Sequence, residues 1–242
     1  MQFIKKVMPS WFPVDLIKPL MLLSGCSLLI IVLFLSPFFH MKLQRLWWLP
    51  WNLFLAWLPL FFALIVLRID HGKKRIQQIL VVPFLTMWFL FLPNAPYMLT
   101  NLVHLNRFEF YTLRIISDQY IINYSEASGV WFVFLVLISS VAIGCGVGFL
   151  SLIIIQRHIN EKHGVIWEWV MVTGSSLFSG VAIWIGIILK FRSWDFIFRP
   201  YYLLRNVIAE FSWNAFLLCI IYAIMSIVGY TLMRSFLNKG EN

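Results

Sequence analysis

The chain has 242 residues, 61% of them hydrophobic and only 12% charged, and 19 Lys and Arg against 10 Asp and Glu give it a formal net charge of +9. An average soluble domain is about 45–50% apolar and about 25% charged, so a soluble fold could not hide this much apolar surface. The basic excess does not point to nucleic acid, because the cations are scattered through the polar loops rather than gathered on one element.

Lys5 and Lys6 precede the first apolar segment, Leu20 to Ser36, but Pro9, Pro13 and Asp15 intervene and no small-residue cleavage pattern follows Ser36. The segment reads as an uncleaved first span, at the short limit for crossing a hydrocarbon core of roughly 30 Å, rather than a removed signal peptide. Five further windows of at least 20 residues carry few or no charges: Leu46 to Leu67, Ile79 to Leu99, Val130 to Ile155, Ile166 to Leu189 and Trp213 to Met233. Six spans predict an all-α integral membrane helical bundle, a single multi-pass domain over residues 1–242.

Trp47, Trp48 and Trp51 open the second span, Trp167 and Trp169 the fifth, and Trp213 the sixth. Amphipathic rings prefer the headgroup level, which favours these boundaries over an aromatic substrate cage. With six spans both termini share a side, and that side carries the larger number of Lys and Arg. Arg68, Lys73, Lys74 and Arg75 are its strongest cluster, so both termini are expected in the cytoplasm. Cys26, Cys145 and Cys219 all fall inside expected spans, where thiols act as small packing residues; neither a disulfide framework nor a zinc spacing is present.

The third span ends in a polar, proline-broken segment: Pro93, Asn94, Ala95, Pro96 and Tyr97, then Thr100, Asn101 and His104. Each proline removes a backbone donor, and an unpaired carbonyl in hydrocarbon costs several kcal/mol, so the break survives only against protein or water. The third helix is therefore expected to break at Pro93 and Pro96. The carbonyls freed near Phe89 and Leu92 would face a cavity in which Asn94, Tyr97, Asn101 and His104 supply donors and acceptors. On a resumed α-helix Tyr97, Asn101 and His104 would share one face. The plainer alternative is a terminating cap, with Asn94 and Asn101 satisfying loose backbone groups.

The loop from about Asn101 to Gly129 carries Arg107, Glu109, Arg114, Asp118 and Glu126. A loop of this length is usually functional or contains structure of its own, and Phe108 to Tyr124 fits neither the helical nor the strand period well. Within the fourth span Ser140, Gly144 and Gly148 recur every fourth residue, as Ser176 and Gly180 do in the fifth. Small residues at this spacing let backbones approach closely and predict that these two spans pack through them.

A second polar cluster follows the fifth span: Lys190, Arg192, Trp194 and Asp195, with Arg199 and Arg205 beyond. The ends of the third and fifth spans emerge on one membrane face, so Asp195 and His104 can meet, the carboxylate setting the tautomer and basicity of the imidazole. Lys190 and Arg192 could equally snorkel to phosphate headgroups. Two candidate ligands are too few for a metal site, and no metal or cofactor is expected. Nor is there a nucleophile elbow, a His-Glu-x-x-His helix or a phosphate-binding lysine loop. Glu168 lies only two residues inside the fifth span, so no proton relay across the core is visible.

PNAPYMLTNLVHL from Pro93, GVGFLSL from Gly146 and SWDF from Ser193 together resemble the family of bacterial multi-pass membrane proteins catalogued as domain of unknown function 1361, over about Trp51 to Val207. The resemblance implies a bacterial membrane location and no particular reaction. The family pattern commonly has an aspartate where this chain has Asn101, and an arginine and an asparagine where it has Ile187 and Arg192, departures that argue against acid-dependent chemistry at Asn101. The residues lead to a bacterial plasma-membrane protein that binds, or helps move, a small polar or lipid-headgroup ligand between the third and fifth spans. The alternatives are a membrane enzyme acting on a lipid or envelope precursor, with His104 as general base oriented by Asp195, and a non-catalytic assembly partner docking a membrane protein or a second copy through its small-residue faces. The lipid bilayer is the expected surrounding partner in every case.

Overall fold

In hydrocarbon a long apolar run can satisfy its backbone only as a helix or within a closed barrel. The computed structural model, which describes residues 12–36, 43–70, 75–116, 119–191 and 195–239, takes the helical solution. Six helices are long and apolar enough to cross a membrane: Val14–Leu35, Leu49–Asp70, Ile79–Arg107, Ser128–His163, Val165–Leu189 and Trp213–Leu237. The chain is a multi-pass membrane protein with an all-α bundle.

Helix α1 (Ile17–Leu35) follows a 3-10 turn, and α2 (Leu49–Asp70) and α3 (Arg75–Phe91) keep Pro59 and Pro83 inside regular helix. The third span then breaks at Leu92 and Pro93, resumes as the single turn α4 (Asn94–Tyr97), and continues as a 3-10 helix over Met98–Arg107. Beyond it an antiparallel hairpin, β1 (Tyr111–Ile116) and β2 (Gln119–Tyr124), occupies the long loop. Helix α5 (Ser128–His163) runs well past its expected end at Ile155 and turns at Gly164, whose φ of 88° suits a residue without a Cβ. Helix α6 (Val165–Trp184) closes with a π-helical turn, Ile185–Leu189, stopped by left-handed Lys190. The one-turn α7 (Asp195–Phe198) and the amphipathic α8 (Pro200–Glu210) lead to α9 (Trp213–Lys239).

Helix α5 is the central post: 56% of its most apolar window is buried inside the bundle, against 22% for the first and sixth spans. Two indole donors tie helices together, Trp88 Nε1 to Ser151 Oγ at 3.3 Å and Trp57 Nε1 to Ser27 Oγ at 3.1 Å. Leu22, Leu28, Ile221 and Val228 are exposed on the outer spans, where hydrocarbon replaces a protein partner.

The small-residue faces pack closely, but with different partners from those expected. A Cβ on Gly144 would meet Met98 Cγ at 2.6 Å, and one on Gly148 would meet Ala95 Cβ at 2.2 Å, so these glycines receive the broken end of the third span rather than the fifth. Ser140 is buried and donates to Val136 O at 2.7 Å. Gly180 accepts the backbone of the sixth span, with Cys219 O only 2.2 Å from where its Cβ would stand, and Ser176, four residues before it, is buried. The physical reason is the break itself: a one-turn segment with a small residue at Ala95 can press closer to α5 than an intact helix could. Gly144, Gly148 and Gly180 are therefore filled from within the chain.

Ion pairs gather at the membrane face away from the break. Asp70 accepts from Lys162 Nζ at 2.5 Å and lies 3.3 Å from His158 Nε2, and Arg157 reaches Asp15 at 2.5 Å. Arg234 pairs with the fully buried carboxylate of Glu168. Lys73 and Lys74 lie outside the described residues.

Candidate functional site

The break is built from local hydrogen-bond accounting. Pro93 and Pro96 bring no N–H, and the Ala95 amide, which in a regular helix would bond Phe91 O, turns instead to Leu92 O at 3.2 Å. Asn94 Nδ2 takes the vacated place, donating to Phe91 O at 2.9 Å. Asn94 therefore caps the end of α3, as the plainer sequence reading has it, and Leu92 O is paired rather than open to a cavity. Tyr97 N closes the turn on Pro93 O at 3.0 Å, and the Cys145 thiol donates to Ala95 O at 3.7 Å.

After Tyr97 the helix tightens to three residues per turn, which rearranges the expected common face of Tyr97, Asn101 and His104. Asn101 and His104 follow each other at the 3-10 spacing; Asn101 meets α2 and His104 meets Trp48, the residue before α2. Asn101 is buried, its Oδ1 accepting from Asn52 Nδ2 at 3.3 Å and its Nδ2 lying 3.4 Å from Met98 Sδ. The His104 ring lies on Trp48 with centroids 4.6 Å apart. Asn101 thus bonds side chains, and not the backbone groups that a capping role would have given it.

Tyr97 turns the other way, into a cavity of about 660 Å³ that it lines with Asn94, Pro93 and Leu90. The second span contributes Trp47, Trp51, Asn52 and Leu55, the fifth supplies the wall from Phe178 to Gly186, and α8 closes it with Leu203, Leu204 and Val207. Among the described residues, Asn52, Asn94 and Tyr97 are its polar side chains apart from the two indoles, and the rest of that lining is apolar. Gly186 stands where a Cβ would come 3.1 Å from the Tyr97 ring, so the π-helical turn and the break are fitted against each other. This is a largely apolar chamber with a few convergent hydrogen-bonding groups, the composition of a small-molecule site.

The chain belongs to the DUF1361 family. The family model, described as "Protein of unknown function (DUF1361)", matches residues 51–228, which includes the break, the hairpin, α8 and the walls contributed by the third and fifth spans. No curated protein and no solved structure matches. The match reaches further toward the carboxy terminus than the motif resemblance, because it takes in most of the sixth span.

Of the second cluster in this DUF1361 chain, Arg192 and Trp194 lie outside the described residues. Asp195 opens α7, where its carbonyl accepts from Arg199 N at 2.8 Å, and Lys190 is exposed at φ 60°. The His104 ring contact among the described residues is with Trp48. A contact between His104 and Asp195 is not among the described contacts. Among the described residues, no group of three or more His, Cys, Asp or Glu could hold a metal ion.

Asn52 is the member that sequence reasoning missed. Its signal is a lone amide in an otherwise apolar opening turn, masked by the three tryptophans around it. Glu168 was legible as a charge just inside a span; its partner Arg234, 66 residues away, was not.

Proposed function

We propose that this DUF1361 protein binds a small amphiphile, a polar molecule or lipid headgroup with an apolar portion, in the chamber between the second, third and fifth spans, and that it serves as a binding or transport-related module. The observation that carries the reading is the chamber's composition: Asn52, Asn94 and Tyr97 converge within a wall otherwise supplied by apolar side chains of α6 and α8. Such a site orients a ligand through a few polar contacts and holds it by burying apolar area. Its setting would be a bacterial plasma membrane with the termini in the cytoplasm, which places the chamber toward the outer face; the bias of Lys and Arg toward the terminal side supports this orientation.

Native mass spectrometry of protein extracted in a mild detergent tests the reading whatever the chemical identity of the bound molecule. The wild type should retain a bound molecule that Ala182→Trp, which fills the chamber from the fifth span, and Leu204→Trp, which fills it from α8, have both lost while keeping the wild-type thermal midpoint. Folded variants that carry the same bound molecules as the wild type would remove the proposal.

A further inference from the structure

The hairpin between the third and fourth spans is amphipathic in a way its linear sequence blurs. The register sets Tyr111 opposite Tyr124, Leu113 opposite Ile122 and Ile115 opposite Tyr120, and directly opposed residues share a face. All six side chains on that face are apolar or aromatic, and each is between 51% and 75% exposed, so no described residue covers them. The other face carries the pairs Thr112 with Asn123 and Arg114 with Ile121. A lone two-stranded hairpin is marginal in water, and one with a wholly apolar uncovered face needs a partner.

Its base indicates which partner. Ser125 N closes the hairpin on Phe110 O at 2.8 Å, and Trp131 Nε1 in the first turn of α5 donates to Ser125 O at 2.8 Å. The Phe110 ring sits edge-on to Trp131 and Phe134. Trp131 also heads an exposed apolar stripe on α5 that continues through Leu135 and Ile138. Residues 108–110 and 125–127 are the only links between the strands and the neighbouring helices. Three residues reach about 10 Å, so the hairpin cannot leave the neighbourhood of the span ends.

We propose that the Tyr111, Leu113, Ile115, Tyr120, Ile122 and Tyr124 face lies in the headgroup and acyl boundary of the adjoining leaflet, as a lipid-docked extension of the bundle. Three things point to lipid over a second protein: three-residue connections hold the hairpin beside the span ends, the face holds no charge, and tyrosine occurs in both its base pair and its distal pair. Tyrosine has an apolar body and a polar tip, the combination that favours the headgroup level. Arg114 stands on the opposite face, free to meet phosphate or water.

Site-directed spin labelling tests this in the full chain, reconstituted in vesicles of phosphatidylethanolamine and phosphatidylglycerol. Cys26, Cys145 and Cys219 are replaced by alanine, and labels are placed at Leu113→Cys and Ile122→Cys on the apolar face and at Thr112→Cys and Asn123→Cys on the other. If the cysteine-free background does not fold, the native cysteines are kept and the label signal of the unsubstituted chain is subtracted. The ratio of collisions with oxygen to collisions with a polar nickel chelate should be severalfold higher for the first pair than for the second. Equal low ratios would place the hairpin in water, equal high ratios would place both its faces in hydrocarbon, and labels shielded from both reagents would place it against protein; each of these results overturns the proposal. None of these outcomes bears on the chamber, which the bound-molecule measurement tests separately.

Discussion

Gly148→Ala is the sharpest perturbation of this fold. The added Cβ would fall 2.2 Å from the Cβ of Ala95, on the one-turn helix wedged between Leu92 and the 3-10 segment, and 3.7 Å from its Cα. Ordinary carbon contact begins near 3.5 Å, so one backbone must yield by roughly 1 Å, and overpacking of this kind costs about 1–3 kcal/mol. The upper half of that range applies, because neither atom is the end of a flexible side chain. Gly174 supplies the control, since a Cβ there meets nothing within 4 Å; Gly174→Ala should be neutral or stabilising by up to about 1 kcal/mol. Two chemically identical substitutions in neighbouring membrane helices should thus differ by about 2–4 kcal/mol. Reversible unfolding in mixed detergent and dodecyl sulfate, followed by near-ultraviolet circular dichroism, measures the difference. Ala95→Gly removes the colliding atom and should restore most of the loss, giving a favourable coupling of at least about 1 kcal/mol in the double-mutant cycle. A Gly148→Ala protein as stable as Gly174→Ala, or one that Ala95→Gly does not rescue, would refute the close approach of the break to α5. Because Ala95 lies between Asn94 and Tyr97, Gly148→Ala should also weaken the ligand binding proposed for the chamber.

Gly180→Ala should be at least as costly as Gly148→Ala and beyond rescue by any change at position 219, because the obstacle there is the Cys219 carbonyl itself; a parallel cycle with Cys219→Gly should show no coupling. Glu168→Gln leaves Arg234 facing a neutral amide, and since the Arg234 side chain is 32% exposed the loss should be about 2–3 kcal/mol, below that of a fully buried pair; the double variant with Arg234→Met should recover part of it in the same unfolding assay. Ser151→Ala strips the acceptor from the buried Trp88 indole and should cost about 1–3 kcal/mol, whereas Trp88→Phe with Ser151→Ala should cost less than the sum of the single changes. Asn52→Ala and Asn101→Ala should each lower the thermal midpoint and should be non-additive, since each removes the other's side-chain partner.

The features legible in the sequence are those that a short window determines alone. A span is a property of about 20 consecutive residues, and a proline break is a property of the ring and its missing donor, so the bundle and the interruption at Pro93 could be read in one dimension. Which helix a glycine face receives could not, because small residues at fourfold spacing specify closeness and not identity; the partner of Gly148 depends on how far the break lets Ala95 approach. The hairpin was hidden for a different reason. Ile116 and Ile121 interrupt the alternation that Tyr111, Leu113, Ile115, Tyr120, Ile122 and Tyr124 otherwise keep, and Ser117 and Asp118 are not the glycine-containing pair that marks a tight hairpin turn. The candidate site shows both limits at once. Asn94 and Tyr97 were visible because they flank the prolines, while the turn of Asn101 and His104 toward α2 follows from a helix that tightens to 3-10 geometry after Tyr97, which residue type alone does not announce. That tightening also joins the two halves of the site. By directing Asn101 to Asn52 and His104 to Trp48, it fixes the opening turn of α2 against the break and holds Asn52 and Trp51 where they line the chamber with Tyr97. Among the described residues, the buried Asn101 therefore touches the chamber only through Asn52, from whose amide it accepts a hydrogen bond behind the wall.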